Sequence, residues 1–261
     1  MNSIVAFRER KGSGDKLTMV TCYDATMARL VAQTDIDAVL VGDSVAMVVH
    51  GHPTTIPADL DMMVAHTSAV ARSLGDKLLV ADMPFLAHRR GTAAAVDAAG
   101  ALMKAGAHAV KLEGATGNAE VVDHLVHSGI PVMGHVGLTP QFVNNFGGFK
   151  VQGRTEAAAD AVVADAQALE AAGVFSMVIE GVPSPLGARI TEHVSVPTIG
   201  IGAGPDCDGQ ILVIYDLLGL TERVPRFVRK FGPGADLVTK AIGDYIAVVK
   251  DGAFPAEPES Y

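Results

Sequence analysis

The chain has no tryptophan and only two cysteines among its 261 residues, and aromatic side chains make up just 5% of it. Cys22 and Cys207 lie far apart, so the sequence holds neither a disulfide framework nor a zinc-knuckle spacing, and a reducing compartment is the natural setting. No apolar run approaches membrane-spanning length. Basic residues are unclustered and outnumbered, 20 Lys and Arg against 29 Asp and Glu, giving a formal net charge of −9. That balance argues against the backbone of a nucleic acid or an anionic membrane as partner. From Met1 to Lys11 the charges follow a short apolar patch, the reverse of a signal peptide. The expectation is a cytoplasmic protein acting on a small molecule.

Apolar material is plentiful at 49%, with 28 glycines and several alanine-rich segments, enough for one large domain spanning 1–261. The stretch Val39-Leu40-Val41-Gly42-Asp43-Ser44 reads as a buried strand delivering a carboxylate to an open rim. Side chains alternate along a strand, so Val39, Val41 and Asp43 are expected on one face, Leu40 and Gly42 on the other. The same ending recurs in Leu78 to Asp82, Ala109 to Glu113 and Ser176 to Glu180. An acid at the carboxyl end of successive strands is what a parallel α/β enzyme requires, because its site lies beyond that end of the sheet. Each acid taken singly could instead cap the helix that follows.

Further strands are expected at Leu17 to Cys22, Ile130 to Gly137, Val196 to Gly202 and Gln210 to Asp216. Between them, helices are expected at Ala25 to Gln33 with Asp24 as its cap, Ala58 to Arg72, Ala93 to Ala105 closed by Gly106, Asn118 to His127, Glu156 to Ala172 and Leu186 to His193. Residues 4 to 11 form a short helix expected to precede the domain proper, residues 45 to 57 a long loop, and Asp236 to Lys250 a terminal helix. Strand and helix alternate over a length typical of a (β/α)8 TIM barrel, about 250 residues. A doubly wound open sheet is the fallback.

Lys111 and Glu113 are two apart and point the same way, which makes the inward face of that strand charged. They could be an ion pair that merely closes the barrel. Beside Asp43 and Asp82, however, the acids would repel one another unless a cation sat between them. All-oxygen donors favour a hard ion, Mg²⁺ or Mn²⁺, able to polarise an α-keto acid. Glu180 comes from the far side of the barrel without an evident pair, and could take a proton from carbon, cap a helix or meet an arginine. His135 is either a neutral hydrogen-bond donor facing the site or a satisfied core histidine. His50 and His52 sit in a Gly/Pro loop unsuited to zinc, and Gly200 to Gly204 lacks the acid of a dinucleotide fingerprint. The glycines there are expected to let backbone pass close to a neighbour or ligand. No nucleophile elbow and no Walker lysine is present.

Val41-Gly42-Asp43-Ser44, Ala81-Asp82-Met83-Pro84-Phe85, Val110-Lys111-Leu112-Glu113-Gly114, the run from Gly134 to Gln141, Lys150-Val151-Gln152-Gly153-Arg154 and Ile199 to Gly204 together resemble the ketopantoate hydroxymethyltransferase family, in order over nearly the whole chain. The resemblance implies a (β/α)8 barrel related to the phosphoenolpyruvate/pyruvate superfamily, preceded by a short helix. It also implies a homodecamer built from rings of five, and Mg²⁺-dependent transfer of a one-carbon unit from 5,10-methylenetetrahydrofolate to 3-methyl-2-oxobutanoate in pantothenate biosynthesis. By that likeness Asp43 and Asp82 are metal-binding acids and Glu113 a further one. Asp43, Ser44, Asp82 and Lys111 contact substrate, and Glu180 accepts the proton. Departures in the loop after His52 and in the segment after Glu180 touch fine substrate or folate contacts only. The rival within the same superfamily is a Mg²⁺-dependent carbon–carbon lyase or phosphonomutase; such lyases carry a cysteine in a Lys/Gly/His-rich loop, a setting that neither Cys22 nor Cys207 has.

Overall fold

The computed structural model describes residues 3–261. Contacts divide the chain into two compact units, Met1–Val213 and Ile214–Tyr261. In the first unit the helices are α1 (Ile4–Arg8), α2 (Ala25–Ala32), α3 (Val45–Val48), α4 (Leu60–Ala71), α5 (Thr92–Lys104), α6 (Ala119–His127), α7 (Val143–Phe146), α8 (Glu156–Ala171) and α9 (Ser184–His193). They alternate with β1 (Leu17–Thr21), β2 (Ala38–Val41), β3 (Leu78–Asp82), β4 (Ala109–Lys111), β5 (Val132–Gly137), β6 (Ser176–Glu180), β7 (Thr198–Ile201) and β8 (Gly209–Leu212). Every neighbouring pair is parallel, and β1 pairs with β8, closing an eight-stranded barrel in sequence order. The second unit holds α10 (Ile214–Leu217) and α11 (Gly234–Lys250).

Local chemistry sets the helix starts. The Asp24 carboxylate accepts from the backbone N–H groups of Thr26 and Met27, the Asp59 carboxylate from Met62, and the Thr155 hydroxyl from Ala158. Asp59 therefore fixes α4 to begin at Leu60, two residues later than periodicity suggests. Gly106, at φ 110°, ends the turn after α5 as expected. The last strand stops at Leu212, and Ile214 to Asp216, expected as strand, lie in α10 instead. An apolar run this short fits either state.

The barrel interior is filled by alternate residues of successive strands: Leu17 and Met19, Ala38 and Leu40, Leu78 and Val80, Ala109, Met133, Val178, Ile199 and Ile211. Their outward neighbours, such as Val39, Val41, Leu79, Val110 and Ile179, are buried as well, which is why these strands read as continuous apolar runs. Phe7 of α1 belongs to the same interior cluster and meets Phe175 edge to face, ring centroids 5.8 Å apart. The short first helix is thus part of the barrel's core, where the sequence suggests a preceding appendage. Phe175 leads into β6, so this contact seals the amino-terminal end of the barrel and leaves the carboxyl-terminal end for chemistry.

Close backbone approach is required at Gly137, the last residue of β5, which has φ 90°. A Cβ there would lie inside the van der Waals shell of the Glu180 carbonyl oxygen and 2.8 Å from Val182 Cγ1. Gly137→Ala is expected to lower unfolding free energy by about 2 kcal/mol or more, whereas Gly100→Ala, in α5 with nothing within 4 Å of its added methyl group, should be neutral or raise it by about 0.5–1 kcal/mol. Equal midpoints and slopes in urea for the two variants would show that the β5–β6 approach is not tight.

Beyond β3 the chain folds back and buries His88, whose ring nitrogens find no well-directed hydrogen-bond partner among the described residues. Burial, aided by the neighbouring Arg89 charge, pushes its pKa down to about 4 from an ordinary 6.5. The imidazole is neutral in the folded chain at neutral pH, while the unfolded chain takes up a proton below about 6.5, so stability drains away as pH falls from there toward 4. Between pH 7 and pH 5 the wild type should lose about 2 kcal/mol more unfolding free energy than His88→Gln. Parallel curves for the two proteins would show that His88 carries none of the acid sensitivity.

Candidate active site

Inward positions at the carboxyl ends of four neighbouring strands carry charge instead of hydrocarbon. Asp82 ends β3 beside Lys111, which ends β4, and the two are register partners. The Lys111 ammonium stands 3.0 Å from Asp82 Oδ1. Glu113 lies two residues beyond β4 and still points inward, because Leu112 and Gly114 keep donating to the Met133 and His135 carbonyls as a strand would. His135 follows on β5 and Glu180 at the end of β6.

Asp43 arrives differently. On β2 it is Ala38 and Leu40 that face the interior, so alternation alone would send Asp43 outward with Val39 and Val41. The strand stops at Val41, and the turn Gly42-Asp43-Ser44 swings the carboxylate to the rim. There the Asp43 backbone N–H donates to Asp82 Oδ2 at 3.0 Å, and Asp43 Oδ2 accepts from Gln141 Nε2 at 2.9 Å. Ser44 follows, its hydroxyl 2.9 Å from the Tyr23 phenol oxygen. The structure therefore brings Asp43, Ser44, Asp82, Lys111, Glu113 and Glu180 to one end of the barrel.

The electrostatics are those of too many buried acids. Burial raises the Asp43 carboxyl well above the usual carboxylate range, the Asp82 and Glu113 charges push it further, and Lys111 and Gln141 only partly offset this. Asp82 is raised too, by burial, against the opposing pull of Lys111. Glu113 goes the other way: its burial is outweighed by His135, Lys111 and the Gln141 backbone N–H, which donates to Oε2 at 3.0 Å. Lys111 is raised, because the acids around it outweigh its own burial.

A hard cation fits this donor set. Asp82 Oδ1 is buried with only the Lys111 ion pair beside it and no well-directed hydrogen bond, and Asp43 lies against the same carboxylate. Among the described residues no three His, Cys, Asp or Glu side chains stand close enough to hold a metal alone. An ion at Asp43 and Asp82 would complete its shell with water or substrate oxygens, as Mg²⁺ ordinarily does. Glu113 supplies further negative charge, with its own oxygens engaged by His135 and Gln141.

Glu180 has no evident pair in the sequence, yet its Oε2 lies 3.3 Å from His135 Nε2. On the other side of the ring, His135 Nδ1 is 3.5 Å from Glu113 Oε1 and 3.2 Å from Lys111 Nζ. Burial and Lys111 push the imidazole down, but the two glutamates outweigh them and its pKa rises to about 9. His135 therefore faces the site: an Nδ1 that accepts from the Lys111 ammonium leaves the Nε2–H to face Glu180, which is the donor role that the sequence suggests. Gln141, Tyr23 and the His135–Glu180 pairing escape sequence reasoning because their partners are tens of residues away and no local period records them. Outside the site, His50 Nε2 faces His66 Nε2 at 3.0 Å, not His52. In the 200–204 glycine segment, a Cβ on Gly204 would collide with Ser184, and one on Gly187 of α9 with the Ala203 carbonyl, so close packing against α9 accounts for Gly204, while a Cβ on Gly200 would stand 3.0 Å from Cys207 Sγ.

The sequence pattern of ketopantoate hydroxymethyltransferase matches residues 2–257. A 3-methyl-2-oxobutanoate hydroxymethyltransferase from Bdellovibrio bacteriovorus is 51% identical over 262 residues, covering 100% of both chains. One from Marinobacter nauticus is 49% identical, covering 99% of this chain and 98% of its own. Among solved structures, phosphonopyruvate hydrolase in complex with oxalate and Mg²⁺ superposes with a TM-score of 0.65 at 14% identity, covering 99% of this chain and 93% of that one. 2,3-Dimethylmalate lyase, a member of the PEP mutase/isocitrate lyase superfamily, gives 0.64 at 15%, covering 100% and 92%. These structural likenesses speak for the barrel, and the sequence matches speak for the chemistry built on it: the chain belongs to the ketopantoate hydroxymethyltransferase family.

Proposed function

We propose that the rim described above performs Mg²⁺-dependent transfer of a hydroxymethyl group from 5,10-methylenetetrahydrofolate to 3-methyl-2-oxobutanoate, giving 2-dehydropantoate for pantothenate biosynthesis. The observation that carries this reading is the division of one rim into two ends: an acid pair, Asp43 and Asp82, and a histidine-held carboxylate, Glu180, with Lys111 between them. An aldol-type transfer needs both, a place to hold the keto acid's oxygens and a base aimed at the adjacent carbon.

Asp43 and Asp82 would hold the ion, with Glu113 as a further acid of the metal site. When bound, Mg²⁺ supplies Lewis-acid polarisation of the keto acid's carboxylate and carbonyl oxygens. The oxalate and Mg²⁺ bound to phosphonopyruvate hydrolase support a two-oxygen ligand of this kind in a barrel of the same fold. Lys111 faces the substrate oxygens as a fixed positive charge, and the Ser44 hydroxyl, positioned by Tyr23, offers a hydrogen bond. Glu180, one oxygen beside His135, takes the proton from C3. The carbon left electron-rich attacks the one-carbon unit of the folate, and water supplies the hydroxyl as tetrahydrofolate departs. We place the enzyme in the cytoplasm as a homodecamer. Helix α11 supports self-association, since it buries none of its residues and exposes Leu237, Val238, Ile242 and Tyr245.

Glu180→Gln should bind 3-methyl-2-oxobutanoate within about twofold of wild type while hydrogen–deuterium exchange at C3 falls by about 10²-fold or more; lost binding with normal exchange would remove Glu180 from the role of base. Asp82→Asn should shift the Mg²⁺ concentration for half-maximal exchange upward by about tenfold or more, and an unchanged metal titration would reject Asp82 as a ligand. Product analysis with both substrates tests the reaction as a whole. Formation of no 2-dehydropantoate would overturn it.

A further inference from the structure

Beside the acid cluster lies a cavity of about 240 Å³ whose wall includes Phe85, Leu86, Arg89, Gln141, Phe142 and Asn145. We propose that this cavity receives the ring system of the one-carbon donor, an inference that rests on the reaction proposed above and adds where its second substrate binds.

The cavity is one side chain away from the chemistry. Gln141 lines it and spends its side-chain amide nitrogen on Asp43 Oδ2 at 2.9 Å and the Met83 carbonyl at 3.0 Å, while its backbone N–H holds Glu113. Gln141 is thus shared by the cavity and the acid cluster. Both amide hydrogens of Gln141 are committed, so Oε1 is the atom left to accept a hydrogen bond from a ligand N–H.

Size and lining narrow the occupant. Pockets that enclose a drug-sized ligand run from about 300 to 1,000 Å³, so this one encloses a single ring system and leaves a longer molecule's tail outside. Phe142 presents a ring fixed by the Arg89 guanidinium, which lies 5.0 Å from its centroid and donates to the Thr116 carbonyl at 3.3 Å. Phe85 and Leu86 add exposed apolar faces, 38% and 44% accessible, against the usual preference for burying such side chains. Leu86 is moreover held at φ 64°, in the left-handed region that a non-glycine residue adopts at a cost. Aromatic and apolar walls with exposed amides at Asn144 and Asn145 suit a planar heterocycle whose edge alternates donors and acceptors. The five-carbon keto acid has neither the ring to stack nor the edge to pair. The donor's heterocycle has both.

Steady-state kinetics of Phe142→Ala and of Asn145→Ala, each with both substrates varied, test the assignment, with equilibrium dialysis of tetrahydrofolate as a direct measure of binding. Loss of one stacking face should raise the KM for 5,10-methylenetetrahydrofolate and the Kd for tetrahydrofolate by about tenfold, with the KM for 3-methyl-2-oxobutanoate within about twofold of wild type. Asn145 is exposed, so its variant reports even where Phe142→Ala folds poorly. Unchanged folate constants in both variants, or a rise confined to the keto acid, overturns the subsite while leaving the reaction standing. A wild-type protein that exchanges the C3 proton but neither binds tetrahydrofolate nor turns over with the donor overturns the reaction reading, and the subsite with it.

Discussion

Three carboxylates buried at the rim of an apolar barrel, with one ammonium among them, form an unbalanced charge, and the rest of the site is arranged around that imbalance. Asp43, Asp82 and Glu113 are all buried, and Lys111 is the lysine placed inside with them. Like charges in contact repel more strongly in a buried, low-dielectric setting than in water, and the stability of a whole domain is only a small margin. A lysine can answer one such contact. The raised Asp43 and Asp82 carboxyls are where the remainder is felt, and an oxygen-seeking divalent ion is the partner that would relieve both together. A ligand that binds only the folded chain also stabilises it by mass action, so an acid cluster that costs stability in isolation would become stabilising on binding such an ion.

The barrel makes such a cluster possible because its strands end in order around a circle. Asp82, Lys111, His135 and Glu180 occupy inward positions on β3, β4, β5 and β6, one strand apart each time. Below them the interior is hydrocarbon, closed at the far end by Phe7 against Phe175. Water is thereby kept from reaching the charges from beneath, and the polar layer is approached only from the carboxyl end. Glycine at 137 keeps β5 and β6 close where His135 must reach Glu180. A bulkier residue would separate the histidine from the carboxylate it holds.

Much of this is legible in the sequence, for a definite reason. Strands buried on both faces are short apolar runs, and a period of two places Lys111 and Glu113 on the same side once the strand is recognised, so the charged inward face of β4 follows directly. The alternation of strand and helix points to the barrel, and the pairing of β1 with β8 sets aside the open sheet that alternation alone leaves as a fallback. Asp43 shows the limit: periodicity assigns it to the face of Val39 and Val41, but the strand ends before it and the turn, not the pleat, aims its side chain. Helix α3 escapes detection because four apolar residues cannot display a helical period. The place of Phe7 in the core, the hold of His135 on Glu180 and the reach of Gln141 to Asp43 are contacts between distant segments. Nothing local encodes them, and they emerge only when the barrel closes.

Lys111 joins the two ends of the rim. Its ammonium stands 3.0 Å from Asp82 and 3.2 Å from the ring nitrogen of His135, and the other ring nitrogen faces Glu180. An acid pair suited to a metal and a carboxylate suited to a proton are therefore linked through the Lys111 ammonium and the His135 ring in series. Removing charge at one end alters what Lys111 balances, and through it the field at His135 and the hold on Glu180. Groups that share partners in this way do not contribute independently, so the metal end and the base end cannot be apportioned separate free energies. The same coupling gives a physical reason for both to lie on one rim: in the reaction proposed above, the charge that would position the keto acid's oxygens also sets the environment of the carboxylate that would take its proton.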